Sequence, residues 1–526
     1  MASVVASAMG VLNFVAAHLE VHLAIPVFLF ISHQLIRYVR GQRSLVYFPT
    51  VGALPSLLLN LHRLHDWMTG AMEERGCTFM VTGPWFSGMK YLFTADPENV
   101  RYVTSTNFGN FVKGSHLREM LEEFGDNVSS ADFDVWRSRR KIVTGHLHQR
   151  EFLQSTRGVI HDKVETGLLP LLAQLAQPGA ERMTIDMREV LQRFTFDVMC
   201  LLVFGVDVGS LSIDLPRVPF MDAVDNVVEA SFLRFALPRS CWKLLRWLRM
   251  GPEKKLADSM EVVNDFINKF IASRKDEVSK TGHVGSKEPD APADLLTCLL
   301  GQQMADGASK FSSDKSIRDL TFELLIAGKY STSLSVAWFL WMVSTHRSVE
   351  TRILDELASA APRDGNNKYV TFDAEELDGC VYLTAAIHEC LRLFPVMPFT
   401  PRWALRHDVL PSGHKVEPGT LVVYSAYAMG RMEAVWGEDR LDFTPERWIS
   451  SQGKVREESS FKFTAFGAGP RICFGKTLAL AEIRAVAAAV IYNFRLELAG
   501  QVSARSNIVL NMENGLVCSL QERHPR

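Results

Sequence analysis

The 526-residue chain carries no excess charge of either sign: 57 Lys and Arg stand against 59 Asp and Glu, for a net charge of −2. That balance leaves no electrostatic footprint for nucleic acid. It also lacks paired cysteines. Its eight, Cys77, Cys200, Cys241, Cys298, Cys380, Cys390, Cys473 and Cys518, are scattered, and no two form a C-x-x-C. A disulfide framework, a zinc site and an iron–sulfur site are thereby excluded, and the pattern fits a reducing compartment. There are no internal repeats. The N-terminal apolar run VHLAIPVFLFISHQLI, residues 21–36, is shorter than the ~20 residues of a bilayer span.

What is present starts with that same segment. A weakly polar stretch from Ala2 to Leu19 extends it upstream, and Arg37, Arg40 and Arg43 follow it. Basic charge after the apolar run, not before it, argues against a cleaved signal peptide. The expectation is an uncleaved membrane anchor with a basic stop over residues 1–44, holding the rest of the chain in the cytosol. Pro49 and Pro55 then break the chain. Helical periodicity dominates from about 113 to 350, and short apolar runs broken by Pro and Gly at 402–424 read as strands. The stretch 275–294, polar and rich in Gly, Pro and charge, reads as an exposed loop.

One loop, GAGPRICFGKT at 467–477, allows two readings. A phosphate cradle needs G-x-x-x-x-G-K-[ST]. Here five residues stand between Gly469 and Gly475, one too many, and the position that would restore the spacing is Pro470, which has no N–H to offer a phosphate. The dinucleotide pattern fails as well, because its third glycine is Ile472. The alternative is a loop that presents a sulfur. Glycines at 467, 469 and 475 allow turns, Phe466 and Phe474 supply apolar cover, and a strong helix follows. A thiol just before a helix N-terminus, with Arg471 nearby, is expected to have a lowered pKa. A shielded, hydrogen-bonded thiolate is a good ligand for haem iron.

The series Phe466-x-x-Gly469-x-Arg471-x-Cys473-x-Gly475 resembles the haem-binding signature of the cytochrome P450 superfamily. Further segments follow in that superfamily's order. Glu389-x-x-Arg392 places a carboxylate and a guanidinium on one helix face, and Arg447 in FTPERW stands where the superfamily supplies a second arginine. The three imply a buried structural lock. Trp136-x-x-x-Arg140, Arg471 and Arg402 in PFTPRW resemble the residues that reach haem propionates. Arg137, Arg139 and Lys141 add a basic face on which an acidic reductase would dock. A long helix from Ser313 to His346, capped by Ser313 and Asp314, carries Ala327-Gly328 at its centre. In the superfamily this small pair faces haem and oxygen.

The stretch from FTPERW to IYNF is similar to the plant fatty-acid and alkane hydroxylase clan, and most similar to its mid-chain alkane hydroxylase family, which includes a noroxomaritidine synthase. The resemblance implies a mainly α fold with small β-sheets, residues 45–526 forming a haem-thiolate monooxygenase domain behind the anchor. It implies haem b ligated by Cys473, with Phe466, Gly469 and Gly475 shaping the loop. NADPH–cytochrome P450 reductase is the implied partner, and the endoplasmic reticulum membrane, crossed once, the implied location. The substrate class implied is a small hydrophobic molecule: a long-chain alkane or fatty acid to be hydroxylated, or an alkaloid precursor whose phenol rings are coupled. A haem sensor and a haem-thiolate isomerase are the readings from other classes, and dependence on NADPH separates them. Phe111, Phe399 and Met512 are candidate pocket walls. The sequence departs from its resemblance at AGKYSTS, 327–333: Tyr330 occupies the place of an acid and Ser331 that of a threonine, followed by Thr332. Ala327, Gly328, Ser331 and Thr332 are the expected oxygen-side residues, and Tyr330 is a far weaker proton source than a carboxylate.

Overall fold

A computed structural model describes residues 51–523 apart from 86, 126, 178–183, 282–293, 307–312 and 363–367. The expected anchor, residues 1–44, lies outside the described residues. Among those described, no helix is long and apolar enough to cross a membrane.

The architecture is built on one helix, Asp314–Thr345, of 32 residues, about 48 Å long at 1.5 Å per residue. Ser313 caps it by accepting a hydrogen bond from Ser316 N at 3.2 Å. Apolar side chains surround almost its whole circumference, so it is buried by other elements on nearly every side. The helices Met187–Phe204 and Lys476–Asn493 pack along it. Gly328 permits the first of these contacts: a Cβ there would stand 2.2 Å from Met199 Sδ. Of the Ala327–Gly328 pair, Gly328 lies against Met199 on the neighbouring helix. Gly328 is spent on helix packing. Near the other end, Trp338 stacks on Phe394 with centroids 4.4 Å apart, and its indole N–H donates to Leu510 O at 3.0 Å.

The small sheets lie to the side. The larger has strand order Thr78–Thr82, Lys90–Thr94, Leu421–Ser425, Phe399–Ala404, Phe111–Val112. Lys90–Thr94 and Leu421–Ser425 are parallel, and the other pairs are antiparallel. This pairing brings residues 78–112 beside residues 399–425. A three-stranded sheet joins Ile185–Asp186, Val517–Glu522 and Phe494–Leu498. Two candidate pocket walls drop out here. Phe111 and Met512 are 0% exposed, so neither offers surface to a substrate. Phe399 is partly buried beside His65 and Phe93.

The expected loop at 275–294 is also corrected. The helix Gly251–Thr281 runs through its first part. Its charged residues form helical ion pairs, Arg274–Glu277 at 3.2 Å and Lys280–Asp276 at 2.5 Å, so the polar composition marks a solvated helix face. Residues 282–293 lie outside the described residues.

The Glu389–Arg392–Arg447 set is brought together as expected. Glu389, on the helix Val381–Leu393, is fully buried. It accepts from Arg392 Nε at 2.7 Å and Nη2 at 2.8 Å, Trp448 Nε1 at 2.8 Å, Thr444 N at 3.1 Å and Arg447 Nε at 3.3 Å. Arg392 spends its remaining donors on the carbonyls of Gly430, Arg440 and Asp442. Arg447 also binds Asp439 Oδ2 at 2.8 Å. A buried charge set is tolerated when every member is satisfied, and this one is. Removing the carboxylate charge would leave Arg392 buried without a counter-ion. Glu389→Gln is expected to lower unfolding stability by roughly 3–5 kcal/mol, read as a drop in the midpoint of chemical denaturation. An unchanged midpoint would show that the network does not hold the fold.

Candidate functional site: a thiol beneath a cluster of cations

The loop around Cys473 is closed by its own backbone. Cys473 N donates to Phe466 O at 2.8 Å, which folds 466–473 into a compact turn. Gly467 and Gly469 take φ of +74° and +68°, a region that L side chains avoid. Gly469 also abuts Thr104 O, which a Cβ would approach to 2.2 Å. Gly475 is different. Its φ is −90° and it caps the helix Lys476–Asn493; a Cβ there would lie 3.8 Å from Cys473 Sγ. That is ordinary van der Waals contact, so neither a left-handed turn nor a close approach demands glycine here.

Cys473 is solvent-accessible although protein encloses most of its sides. Burial pushes the thiol pKa up, and Gly475 N–H, Arg140 and Lys476 pull it back without fully offsetting the rise. The lowered pKa expected from the helix end is thus corrected: loss of hydration outweighs the helix terminus. Iron binding deprotonates a coordinating thiol in any case, and the N–H donor and two cations are already in place to receive the negative charge.

Three segments enclose the space beside this sulfur. Glu323, one turn before Ala327 on the central helix, accepts from Val128 N and Ser129 N, both at 2.8 Å. Arg471, two residues before Cys473, donates to Ala131 O at 2.7 Å and Asp132 Oδ1 at 2.9 Å. Segment 128–132 therefore ties the central helix to the cysteine loop. Residues 323, 327 and 331 share one helix face. On that face Ala327 is exposed and Ser331 partly so, in the middle of a buried helix. Ser331 Oγ donates to Ala327 O at 2.6 Å. Thr332 is 2% exposed, so the hydroxyl at the opening belongs to Ser331 and not to Thr332.

The same space is rich in cations and poor in acids. Arg140 and Arg471 lie over the faces of Trp136 at 5.9 and 4.6 Å, and Phe108 packs against the same indole at 5.5 Å. Arg140 Nη2 donates to Ile472 O at 2.7 Å. Arg402 is 2% exposed; among the described residues its guanidinium binds the carbonyl of Pro401 and its buried Nε has no partner. A fourth cation, Lys113, escaped the sequence reading. Burial drives its pKa well below the ordinary lysine value, with Arg402 and Arg471 adding to the fall. Burial together with Arg402 lowers Arg471 to about 10. Asp132 is the carboxylate beside them. It accepts from Lys113 N at 2.9 Å, Gly114 N at 2.7 Å and Arg471. It does so at the expense of its helix: it sits at the N-cap of Phe133–Leu147 and makes no capping bond. Arg139, expected on the exposed basic face, is buried, while Arg137 and Lys141 are exposed.

Haem offers two carboxylates and an iron that takes a thiolate, and these residues fit it. Buried guanidiniums short of acceptors suit the carboxylates. The accessible sulfur suits the metal. Fold and site together define a haem-thiolate protein. The family model for cytochrome P450 matches residues 47–518, and the chain belongs to that family. It is 37% identical to the alkane hydroxylase MAH1 of Arabidopsis thaliana over 92% of this chain and 94% of the relative. It is 36% identical to cytochrome P450 86B1 of Arabidopsis thaliana over 95% and 89%. Against noroxomaritidine synthase 2 of Narcissus aff. pseudonarcissus MK-2014 the identity is 36% over 96% of each. The protein is a cytochrome P450 monooxygenase with thiolate-ligated haem.

If Arg402 receives a haem carboxylate, its loss removes one charge-assisted hydrogen bond, typically worth ~1.5–3 kcal/mol. Arg402→Gln is then expected to speed haem loss to apomyoglobin by about tenfold or more. An unchanged rate would place Arg402 outside the haem contact.

Proposed function

We propose that this monooxygenase hydroxylates long-chain aliphatic molecules, alkanes or fatty acids, with Cys473 as the axial ligand of haem b. Bound haem supplies dioxygen activation and the abstraction of a hydrogen from the substrate. The chain's own residues do the rest. Gly475 N–H and Arg140 hold the sulfur's charge. Trp136, Arg140, Arg402, Arg471 and Lys113 would hold the haem carboxylates. Ala327 leaves room above the ring, and Ser331 keeps one hydroxyl at the opening.

The observation that carries the aliphatic reading is the composition of that opening. The central helix presents Ile326 and Ala327 and a single hydroxyl already engaged with Ala327 O. This wall is apolar apart from the Ser331 hydroxyl, and an alkyl chain needs only apolar contact. The similarity to an alkane hydroxylase agrees. Oxidative phenol coupling is the second reading. It is favoured by the match to noroxomaritidine synthase over nearly the whole chain.

The same proposal includes NADPH–cytochrome P450 reductase as electron donor, docking near exposed Arg137, Lys141 and Lys476. It also includes residence on the endoplasmic reticulum membrane through residues 1–44, with the catalytic domain in the cytosol. The exposed Leu244, Trp247, Leu248 and Met250 suit a second contact with lipid.

Microsomes containing the protein and its reductase should be offered alkanes, fatty acids and a bisphenolic alkaloid precursor. NADPH-dependent alcohol formation from an alkane or fatty acid is the expected result. Ring-coupled product from the bisphenol, with no aliphatic alcohol, would replace this reading with the second.

A further inference from the structure

The central helix lines a second cavity near its C-terminal end, of about 610 Å³. That lies within the ~300–1,000 Å³ of small-molecule sites. Trp341 stands ten residues beyond Ser331, about 15 Å along the axis, and no residue of the cysteine site takes part in the lining. Trp341, Phe394 and Phe443 build aromatic walls. Phe394 meets Trp341 edge-on, with centroids 5.4 Å apart and planes at 90°, and also stacks on the buried Trp338. Phe443 packs edge-on against His346 at 5.1 Å. Leu441, 61% exposed, and the exposed Asp442 stand where the cavity meets solvent.

Arg431 is the cation of this lining. Its guanidinium lies over the Tyr427 ring, 3.6 Å from the centroid, and 5.2 Å from that of Phe394. Nη1 donates to Leu393 O and, at 3.3 Å, to Tyr427 O. A guanidinium has five N–H donors, and among the described residues no carboxylate forms an ion pair with this one. Asp66 is the acid that acts on it, but Asp66 Oδ1 is engaged by the Tyr427 hydroxyl at 2.7 Å. Burial pulls the Arg431 pKa below its ordinary value, Arg392 adds to the fall, and Tyr427 and Asp66 do not make up the loss. Arg431 is thus a cation with unspent donors, packed on two rings and bordering a cavity.

We propose that this cavity is a binding site for a small aromatic carboxylate, separate from the haem site. The carboxylate takes unspent N–H donors of Arg431 as a charge-assisted pair, and the ring lies against Trp341, Phe394 and Phe443. A neutral ring would leave the cation unanswered. A small inorganic anion would leave the aromatic walls hydrated and gain no apolar contact against the nearby charge of Asp442. An aliphatic acid would forgo the edge-on ring contacts that these walls offer. No bond is made or broken, and the site does not depend on which substrate the haem oxidises.

The test uses the full-length, haem-loaded protein labelled with fluorotryptophan, with imidazole on the iron to keep the probe out of the haem site. Naphthoate is the probe and naphthamide its neutral counterpart. The Trp341 fluorine resonance is identified by its absence from Trp341→Phe. Naphthoate is expected to shift that resonance saturably below about 1 mM, with no change in the Soret band. Naphthamide should bind about tenfold more weakly, or worse, for want of the charge-assisted pair. Arg431→Gln should weaken naphthoate binding by a similar factor. Arg431 also holds Leu393 O and Tyr427 O, so a second variant leaves those contacts in place. Leu441→Glu sets a like charge at the mouth and should weaken naphthoate by about threefold or more, with naphthamide unchanged. The proposal fails if the Trp341 resonance does not shift, if acid and amide bind equally, or if the Soret band shifts while that resonance stays. It fails equally if Arg431→Gln or Leu441→Glu binds naphthoate as the wild type does.

Discussion

Asp132 is the point at which the site is assembled. Its two oxygens hold the backbone of Lys113 and Gly114 on one side and the Arg471 guanidinium on the other. Segment 128–132 also grips the central helix through Glu323. The cysteine loop, the Trp136 helix and the long helix therefore share one small junction. Its charge balance leans positive among the described residues: Asp132 acts on both Arg402 and Lys113, and Glu323 on Lys113. Cations held this deep are stable only when an anion joins them. Haem with its two carboxylates is such an anion, so cofactor binding and local folding are coupled in the same way that a metal site couples to its ligands.

Much of this was legible from local spacing. The loop at 466–475 was readable because glycine, proline and cysteine constrain backbone and chemistry within ten residues. Proline 470 alone removed the phosphate reading. The Glu389–Arg392 pair was readable because i and i+3 meet on a helix. The long helix and its Ser313 cap needed only composition and periodicity. What stayed hidden depends on contacts across hundreds of residues. Lys113 and Asp132 carry no motif; their importance appears only once the chain brings Arg402 and Arg471 beside them. Asp225 meets Tyr330 across a helix interface that no pattern announces. Gly328 shows the same limit: a small residue reports that something comes close, but not what, and the neighbour is Met199. The Cys473 pKa was misjudged because a helix terminus is visible in sequence and desolvation is not.

The central helix thus works on two faces. One is open at Ala327 and Ser331. The other meets the helix Pro219–Ala236 through Lys329 and Tyr330. Its unusual AGKYSTS turn is consistent with both: the phenol leaves the cavity side apolar while its hydroxyl finds a carboxylate elsewhere. Ser331, Ser333 and Ser335 each return a hydrogen bond to a helix carbonyl four residues back, and Thr195 adds another to Lys329 O. Such back-bonding loosens a helix locally, in the turn where space beside the cofactor is needed.

The central claim is that this fold presents the Cys473 sulfur, as thiolate, to haem iron. The most direct measurement is the absorption spectrum of the reduced, carbon-monoxide-bound protein, wild type beside Cys473→His. The wild type should show the red-shifted Soret band that marks a thiolate opposite carbon monoxide, and the variant should lose that band while still binding haem. A thiolate-type band that survives in Cys473→His, or one that is absent from haem-loaded wild type, would contradict the account.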